Sequence, residues 1–563
     1  MNQDLRIEEI LVADKLITRN QLEEAIKLQQ KFDLNRPIKD WLVSLDYVTD
    51  KEITQSLARY FRIPYKSLKR CPIDQEVINL LDEKVVRKYE VVPIERNAHI
   101  LTVGMTNPLN LYALEEIRLL THLEVKAVMC TKADIEDVIK YYYSGRQAFM
   151  AVEQLKQESS INKLPKVDVY NKTDEEIKNA PIIKVVNGIV EQGLKLGASD
   201  IHIEPGREQT RVRMRIDGVL YEKITIHKSS HSDLITRIKI MANINIAEKR
   251  IPQDGRFEFI KNGEKVDVRV SVLPTIHGEK AVLRILNVQD NTITTIDQLG
   301  LSVSDKKLFN QIIQSPNGII LVTGPTGSGK STTLYTILSE RNQGIDNIIT
   351  LEDPVEKEIV GINQVQINPK AGLTFASGLR SVLRQDPDVI MLGEIRDAET
   401  AAIATRAAVT GHLVFSTLHT NDAASTIVRL IDMGVEPYMV SASLVGVIAQ
   451  RLVRKICPYC KKNYMSTVEE MKKLNLVEPK RLYRAEGCQT CGFTGYKGRT
   501  ALYEIIHVNS HVKQMINEGK KVEQIREYAR TQGTTLLHDN MKQLVLEGST
   551  TMEELMKISY SMD

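Results

Sequence analysis

Three groups of residues in this chain have types and spacings that could do chemistry. The first is Gly324-Pro325-Thr326-Gly327-Ser328-Gly329-Lys330-Ser331-Thr332, which follows the apolar run 318–323. An apolar strand, a glycine-rich turn and a helix start make the geometry in which backbone N–H groups converge on the phosphates of ATP or GTP. Lys330 would then meet the β- and γ-phosphates, and the Ser331 hydroxyl would complete the shell of a magnesium ion. The second group is two apolar runs that close on carboxylates: 348–351 before Glu352, Asp353, Pro354 and Glu356, and 389–392 before Gly393 and Glu394. Alone, each could be a surface turn after a strand. Beside a phosphate loop, acids at the ends of neighbouring strands are what orient a metal ion and an attacking water.

The third group is Cys457-Pro-Tyr-Cys460 and Cys488-Gln-Thr-Cys491. Two C-x-x-C pairs can supply four thiolates to one tetrahedral zinc, a closed site that holds structure and takes no part in turnover. A pair of redox dithiols is the alternative; two pairs beside Arg451, Arg454 and Lys455 favour the metal. Cys71 and Cys130 stand apart and read as inert thiols.

Elements must position these groups, and 563 residues are too many for one core. Residues 7–30 and 38–61 resemble each other, with Leu11 against Leu42, Ile17 against Val48 and Thr18 against Thr49. The duplication, at residues 1–65, predicts two helical hairpins, each with a threonine N-cap. A small α/β domain follows at 66–143, then a polar linker at 144–179. A second α/β domain spans 180–290 and a nucleotide domain 291–563, with the cysteine knuckle at 455–495 and a helical end. Lys and Arg number 75 against 72 Asp and Glu, a net charge of +3 that gives no global pull toward nucleic acid. No apolar run reaches the length of a membrane span, so the expectation is a cytoplasmic location.

Taken together, Gly-Pro-Thr-Gly-Ser-Gly-Lys-Ser-Thr, Leu-Glu-Asp-Pro-Val-Glu, Gly-Glu-Ile-Arg-Asp and Thr-Gly-His412-Leu-Val-Phe-Ser-Thr-Leu-His419 resemble the secretion-superfamily ATPases of type II secretion and type IV pilus systems. The likeness runs over nearly the whole chain. It implies an α/β multidomain protein: a RecA-like core, a preceding small α/β (PAS-like) domain, an N-terminal docking region and a zinc subdomain. It makes Glu356 the carboxylate that orients water, Glu394 the Walker-B acid and His412, or else His419, the γ-phosphate sensor. Read on their own, both histidines could be strand-end or core residues. Arg269 and Arg284 would close over the phosphates, whereas Arg211, Arg213 and Arg215, alternating on one strand, are expected to be ion-paired or solvated.

The resemblance further implies ATP and magnesium as ligands and a homo-hexamer. Its partners would be an inner-membrane platform protein and membrane-associated assembly proteins. The cysteine knuckle belongs to the extension and secretion members and is generally missing from retraction motors. A retraction motor, a DNA-uptake ATPase and a nucleotide-binding regulator that is not a motor are the alternatives. In some members the N-terminal repeats bind cyclic di-GMP through Arg-Leu-Gly and a later Gly. Here Arg6-Ile7-Glu8 with Lys15, and Pro37-Ile38-Lys39 with Asp46, stand in their place, so dinucleotide binding is not expected.

Overall fold

The structure, a computed structural model, describes residues 7–32, 37–69, 71–143, 181–261, 263–286 and 295–559. The expected linker at 144–179, and Arg6, lie outside them. Two compact units divide the chain: 1–285 with 457–460 and 486–495, and 286–456 with 461–485 and 496–563.

The first unit opens with helices Ile7–Ala13, Arg19–Phe32, Ile38–Ser44 and Asp50–Phe61. Repeat-equivalent residues do the same work: Leu11 and Leu42 are fully buried, and Ile17 and Val48 nearly so. Thr18 and Gln21 form a reciprocal cap at one helix start, as Thr49 and Glu52 do at the other. Lys15 (φ 59°) and Asp46 (φ 55°) both adopt the left-handed backbone that favours glycine. The repeats therefore keep a glycine-type turn at both places without its glycine.

Strands β1 (Val91–Asn97), β2 (Ile100–Met105) and β3 (Glu124–Met129) then form a three-stranded sheet. After helix Pro181–Lys195, six antiparallel strands follow: β4 (Ala198–Pro205), β5 (Gln209–Ile216), β6 (Val219–His227), β7 (Gln253–Lys261), β8 (Glu264–Thr275) and β9 (Gly278–Leu286). Their order is β6-β5-β4-β9-β8-β7. Alternation assigns the two faces: Ile201, Ile203, Val212, Met214, Val268, Val270 and Leu283 join one core with Val186 and Leu234 of the helices. The opposite face carries the charged residues.

The second unit is built on a seven-stranded sheet of order β12-β11-β13-β14-β10-β15-β18. These are β10 (Gly318–Thr323), β11 (Ile348–Glu352), β12 (Asn363–Gln366), β13 (Val389–Leu392), β14 (Leu413–Leu418), β15 (Leu444–Ile456) and β18 (Tyr496–His507); the hairpin β16 (Lys461–Met465) and β17 (Arg481–Ala485) lies apart. All pairs of the seven are parallel except β15 with β18. Every residue of β10, β11, β13 and β14 is buried, as a parallel sheet covered on both faces requires. Four helices close the described chain, at Ser510–Asn517, Val522–Thr531, Leu537–Leu546 and Met552–Ser559.

Candidate active site

Strand β10 ends at Thr323, and the glycine loop turns there into helix Lys330–Arg341. Gly324 has φ 145°, and a Cβ on it would meet the Gln450 carbonyl at 2.3 Å; Gly329, at φ 89°, would crowd the Gln450 amide at 2.8 Å. Glycine is required at both positions by conformation and by space. The helix has no side-chain cap, so its first N–H groups remain available to an anion. Ser328 Oγ is buried without a hydrogen-bond partner, which fits a loop shaped for a phosphate. Lys330 Nζ donates to the Gly324 and Pro325 carbonyls at 2.8 and 3.2 Å, and burial pushes the Lys330 ammonium below its ordinary pKa. Among the described residues no hydrogen bond holds the Ser331 hydroxyl, which leaves it able to ligate a cation.

Glu394 follows β13, one strand removed from β10 across β14. Its turn is fixed by the Gly393 N–H donating to the Leu351 carbonyl (2.8 Å) and Thr417 Oγ1 donating to the Gly393 carbonyl (2.7 Å). Arg396 reaches Glu394 Oε1 at 2.5 Å and His419 Nε2 lies 3.3 Å from Oε2. Burial alone would push the Glu394 carboxyl up, but the Arg396 guanidinium and His419 outweigh it and hold the carboxyl below its usual range. Its charge also opposes the burial effect on Lys330. Loop lysine and strand-end carboxylate therefore share one end of the sheet.

The second carboxylate cluster divides. Glu352 is buried and already engaged, by Tyr335 Oη, by Thr350 Oγ1 at 2.6 Å and by Gln364 Nε2 at 3.0 Å. Burial, then the Glu352 carboxylate, push the Tyr335 phenol well up. Asp353 and Glu356 are exposed, and the Glu356 N–H donates to Tyr335 Oη at 3.2 Å. Tyr335 thus ties the helix of the phosphate loop to the acid cluster.

The two histidines lie at opposite ends of β14. Leu413 pairs with Gly318 and Leu418 with Thr323, so His419 emerges at the loop end and His412 at the far end. Six residues of strand at about 3.3 Å each put His412 roughly 20 Å from the loop. There its Nδ1 meets the Ala407 carbonyl at 2.9 Å and its carbonyl accepts from the Gly318 N–H. Parallel pairing carries His412 away from the phosphate loop and brings His419 to it, so the geometry favours the second histidine over the expected first as the residue near the γ-phosphate.

On the charged face of the six-stranded sheet, Arg213 holds Glu204 through two bonds of 2.8 Å, with Lys280 at 2.9 Å from the same carboxylate. Asp200 is shared by Arg284 at 3.0 Å and Arg215 at 3.4 Å. Arg213 and Arg215 are ion-paired, and Arg211 is exposed. Arg269 has no ion pair among the described residues.

The four cysteines Cys457, Cys460, Cys488 and Cys491 come together, all buried, with their sulfurs within 4.8 Å of one another. The separations 457–488, 460–491 and 488–491 are 3.8, 3.9 and 3.7 Å. Four sulfurs at about 2.3 Å from one zinc have tetrahedral edges of about 3.8 Å, so the donor set fits that metal. Backbone N–H groups of Cys488 and Gly495 point at Cys491 Sγ, each at 3.2 Å.

Three residues at the phosphate site were not read from the sequence as functional. Arg396 lies two residues after Glu394 and reads as a surface arginine, and Tyr335 carries no signal beyond its place five residues after Lys330. Gln364 becomes a partner of Glu352 only through the pairing of β12 with β11.

The chain is similar to proteins already known. The family described as "Type II/IV secretion system protein" matches residues 175–557, and the MshEN domain matches 61–148. The type IV pilus assembly ATPase PilB of Myxococcus xanthus is 39% identical, over 98% of this chain and 98% of its own length. The PilB of Thermus thermophilus is 41% identical over 92% of this chain, which spans 58% of that longer protein. The type II secretion system protein E of Pseudomonas aeruginosa is 47% identical over 68% of this chain and 77% of its own. Among solved structures the ATPase DotB of Legionella pneumophila, at 23% identity and TM-score 0.50, covers 71% of this chain and 99% of its own, a likeness of fold. With matches over two thirds of its length and a RecA-like core carrying the phosphate loop, the chain belongs to the type II/IV secretion system protein family, as an ATPase of the pilus-assembly and secretion kind.

Proposed function

We propose that this protein hydrolyses ATP as a homo-hexameric motor at the cytoplasmic face of a membrane and drives assembly of a type IV pilus or a type II secretion pseudopilus. The observation that carries the reading is the placement of Lys330 and Glu394 at one end of the parallel sheet, with Arg396 and His419 holding the carboxylate ionised. The loop amides and Lys330 would bind the β- and γ-phosphates, and Ser331 and Glu394 are suited to hold magnesium, which when bound neutralises charge on the transferring phosphoryl group. Glu356, exposed and free to approach, is suited to orient the attacking water. Arg269 and Arg284 would stabilise the phosphoryl charge, since guanidinium groups fork onto phosphate oxygens and stay ionised.

The tetrathiolate geometry supports a structural zinc, and with it an extension or secretion motor in preference to a retraction motor. No helix among the described residues is long and apolar enough to cross a membrane; attachment would come through a platform protein and membrane-associated assembly proteins. The test is surface pilus number in a strain whose only copy is Glu394→Gln at normal abundance. Loss of pili supports pilus extension. Normal piliation with failed export of secreted enzymes assigns the protein to type II secretion. Normal piliation and normal export overturn the motor reading.

A further inference from the structure

The charged face of the six-stranded sheet holds a cavity of about 530 Å³ lined by Arg256, Arg269 and Arg284, with Asp254, Ser271 and Val282 also on its wall. That volume lies within the roughly 300–1,000 Å³ of small-molecule sites. Arg256 and Arg269 are direct cross-strand partners on β7 and β8. Like charges placed opposite each other destabilise an antiparallel pair unless something neutralises them. Among the described residues no carboxylate lies within ion-pairing distance of either. Glu258, the next residue on this face of β7, is taken by Lys265 at 3.0 Å, and Asp200 is taken by Arg284 and Arg215. Three guanidinium groups stand against the single Asp254 carboxylate on the wall, so the cavity carries a net positive charge that an anion would complement.

We propose that this cavity is a polyphosphate site in which Arg256 acts as a third phosphate-contacting arginine beside Arg269 and Arg284, taking the terminal phosphates of a nucleoside triphosphate. The proposal rests on the reading of Arg269 and Arg284 given above. Arg256 adds a second fork directly across the strand from the first, so two guanidinium planes can grip separate oxygens of one phosphate chain. Its side chain is exposed, so a substitution there should leave the unfolding midpoint unchanged.

The experiment uses the full-length chain. In a Lys330→Ala background, inorganic tripolyphosphate is titrated by calorimetry at low salt, with and without Arg256→Gln. In the otherwise intact chain, kcat for ATP is compared among the parent, Arg256→Gln, Arg256→Lys and Arg269→Gln. The expected result is a loss of at least about tenfold in both tripolyphosphate affinity and kcat for Arg256→Gln, with partial recovery in Arg256→Lys. If Arg269→Gln lowers kcat while Arg256→Gln matches the parent in both assays, Arg256 is not part of the site and the reading of the face survives. If neither substitution lowers kcat, the reading of the face fails and the proposal falls with it.

Discussion

Which histidine serves the nucleotide can be decided by paired substitutions whose effects the geometry separates widely. His419 Nε2 lies 3.3 Å from Glu394 Oε2, and His419→Ala would leave that carboxylate held by Arg396 alone. Loss of one preorganised polar group at a charged reacting centre costs on the order of 10²–10³ in kcat, about 2.7–4 kcal/mol. His412 sits at the other end of β14, half-buried, with its ring against the Ala407 carbonyl at 2.9 Å. His412→Ala removes the ring's hydrogen bonding to the Ala407 carbonyl and the Thr410 hydroxyl, costing about 1 kcal/mol of stability. Across roughly 20 Å, a unit charge in water contributes only about 0.2 kcal/mol, well under a twofold change in rate. The assay is phosphate release at saturating ATP and magnesium, with an unfolding midpoint for each variant. Expected are a collapse of kcat with an unchanged midpoint for His419→Ala, and near-parental kcat for His412→Ala. A His412→Ala protein that is folded yet inactive, beside a fully active His419→Ala, would refute the placement.

Three other outcomes are expected from the same structure. Elemental analysis should find about one zinc per chain, and Cys488→Ser should lose it and lower the unfolding midpoint; a full-strength protein free of metal contradicts the site. Arg454 is buried against Glu554 through Nη2 (2.7 Å) and Nε (3.1 Å), stacks on Tyr496 and has Glu553 3.5 Å from Nη2, so Glu554→Ala removes its buried partner, leaves the exposed one and should cost about 3 kcal/mol by denaturant melt. Burial would push the Glu204 carboxyl up, but Arg213 and Lys280 lower it to about 2. A depressed carboxylate gives stability that is complete above the unfolded value of about 4.5 and is lost as pH falls toward about 2. The Arg213→Gln chain should therefore lose less stability over that window than the parent, and equal acid sensitivity would contradict the pairing.

How much of this could be read from the chain depends on the range of the contacts involved. The phosphate loop, the strand-end acids and the cysteine pairs announce themselves because their chemistry is encoded within a few neighbouring residues. The helical duplication was legible for the same reason: Leu11 and Leu42 are buried alike, and both threonine caps close on the residue three ahead. The histidines were not separable, because each stands at an end of the same short apolar run. Only the parallel pairing of β14 with β10 says which end faces the loop. Arg256 carries no local signal because its relation to Arg269 exists only through the register of β7 on β8. In the sequence Glu352 is as available as Glu394; in the fold Tyr335, Thr350 and Gln364 occupy its oxygens.

The most direct test of the central claim measures ATP binding and steady-state phosphate release by the purified chain and its Glu394→Gln form. The account predicts magnesium-dependent turnover by the parent, and in the variant retained ATP affinity with kcat lowered by about 10² or more. Near-parental turnover by Glu394→Gln, or ATP binding by the parent without turnover, would contradict it.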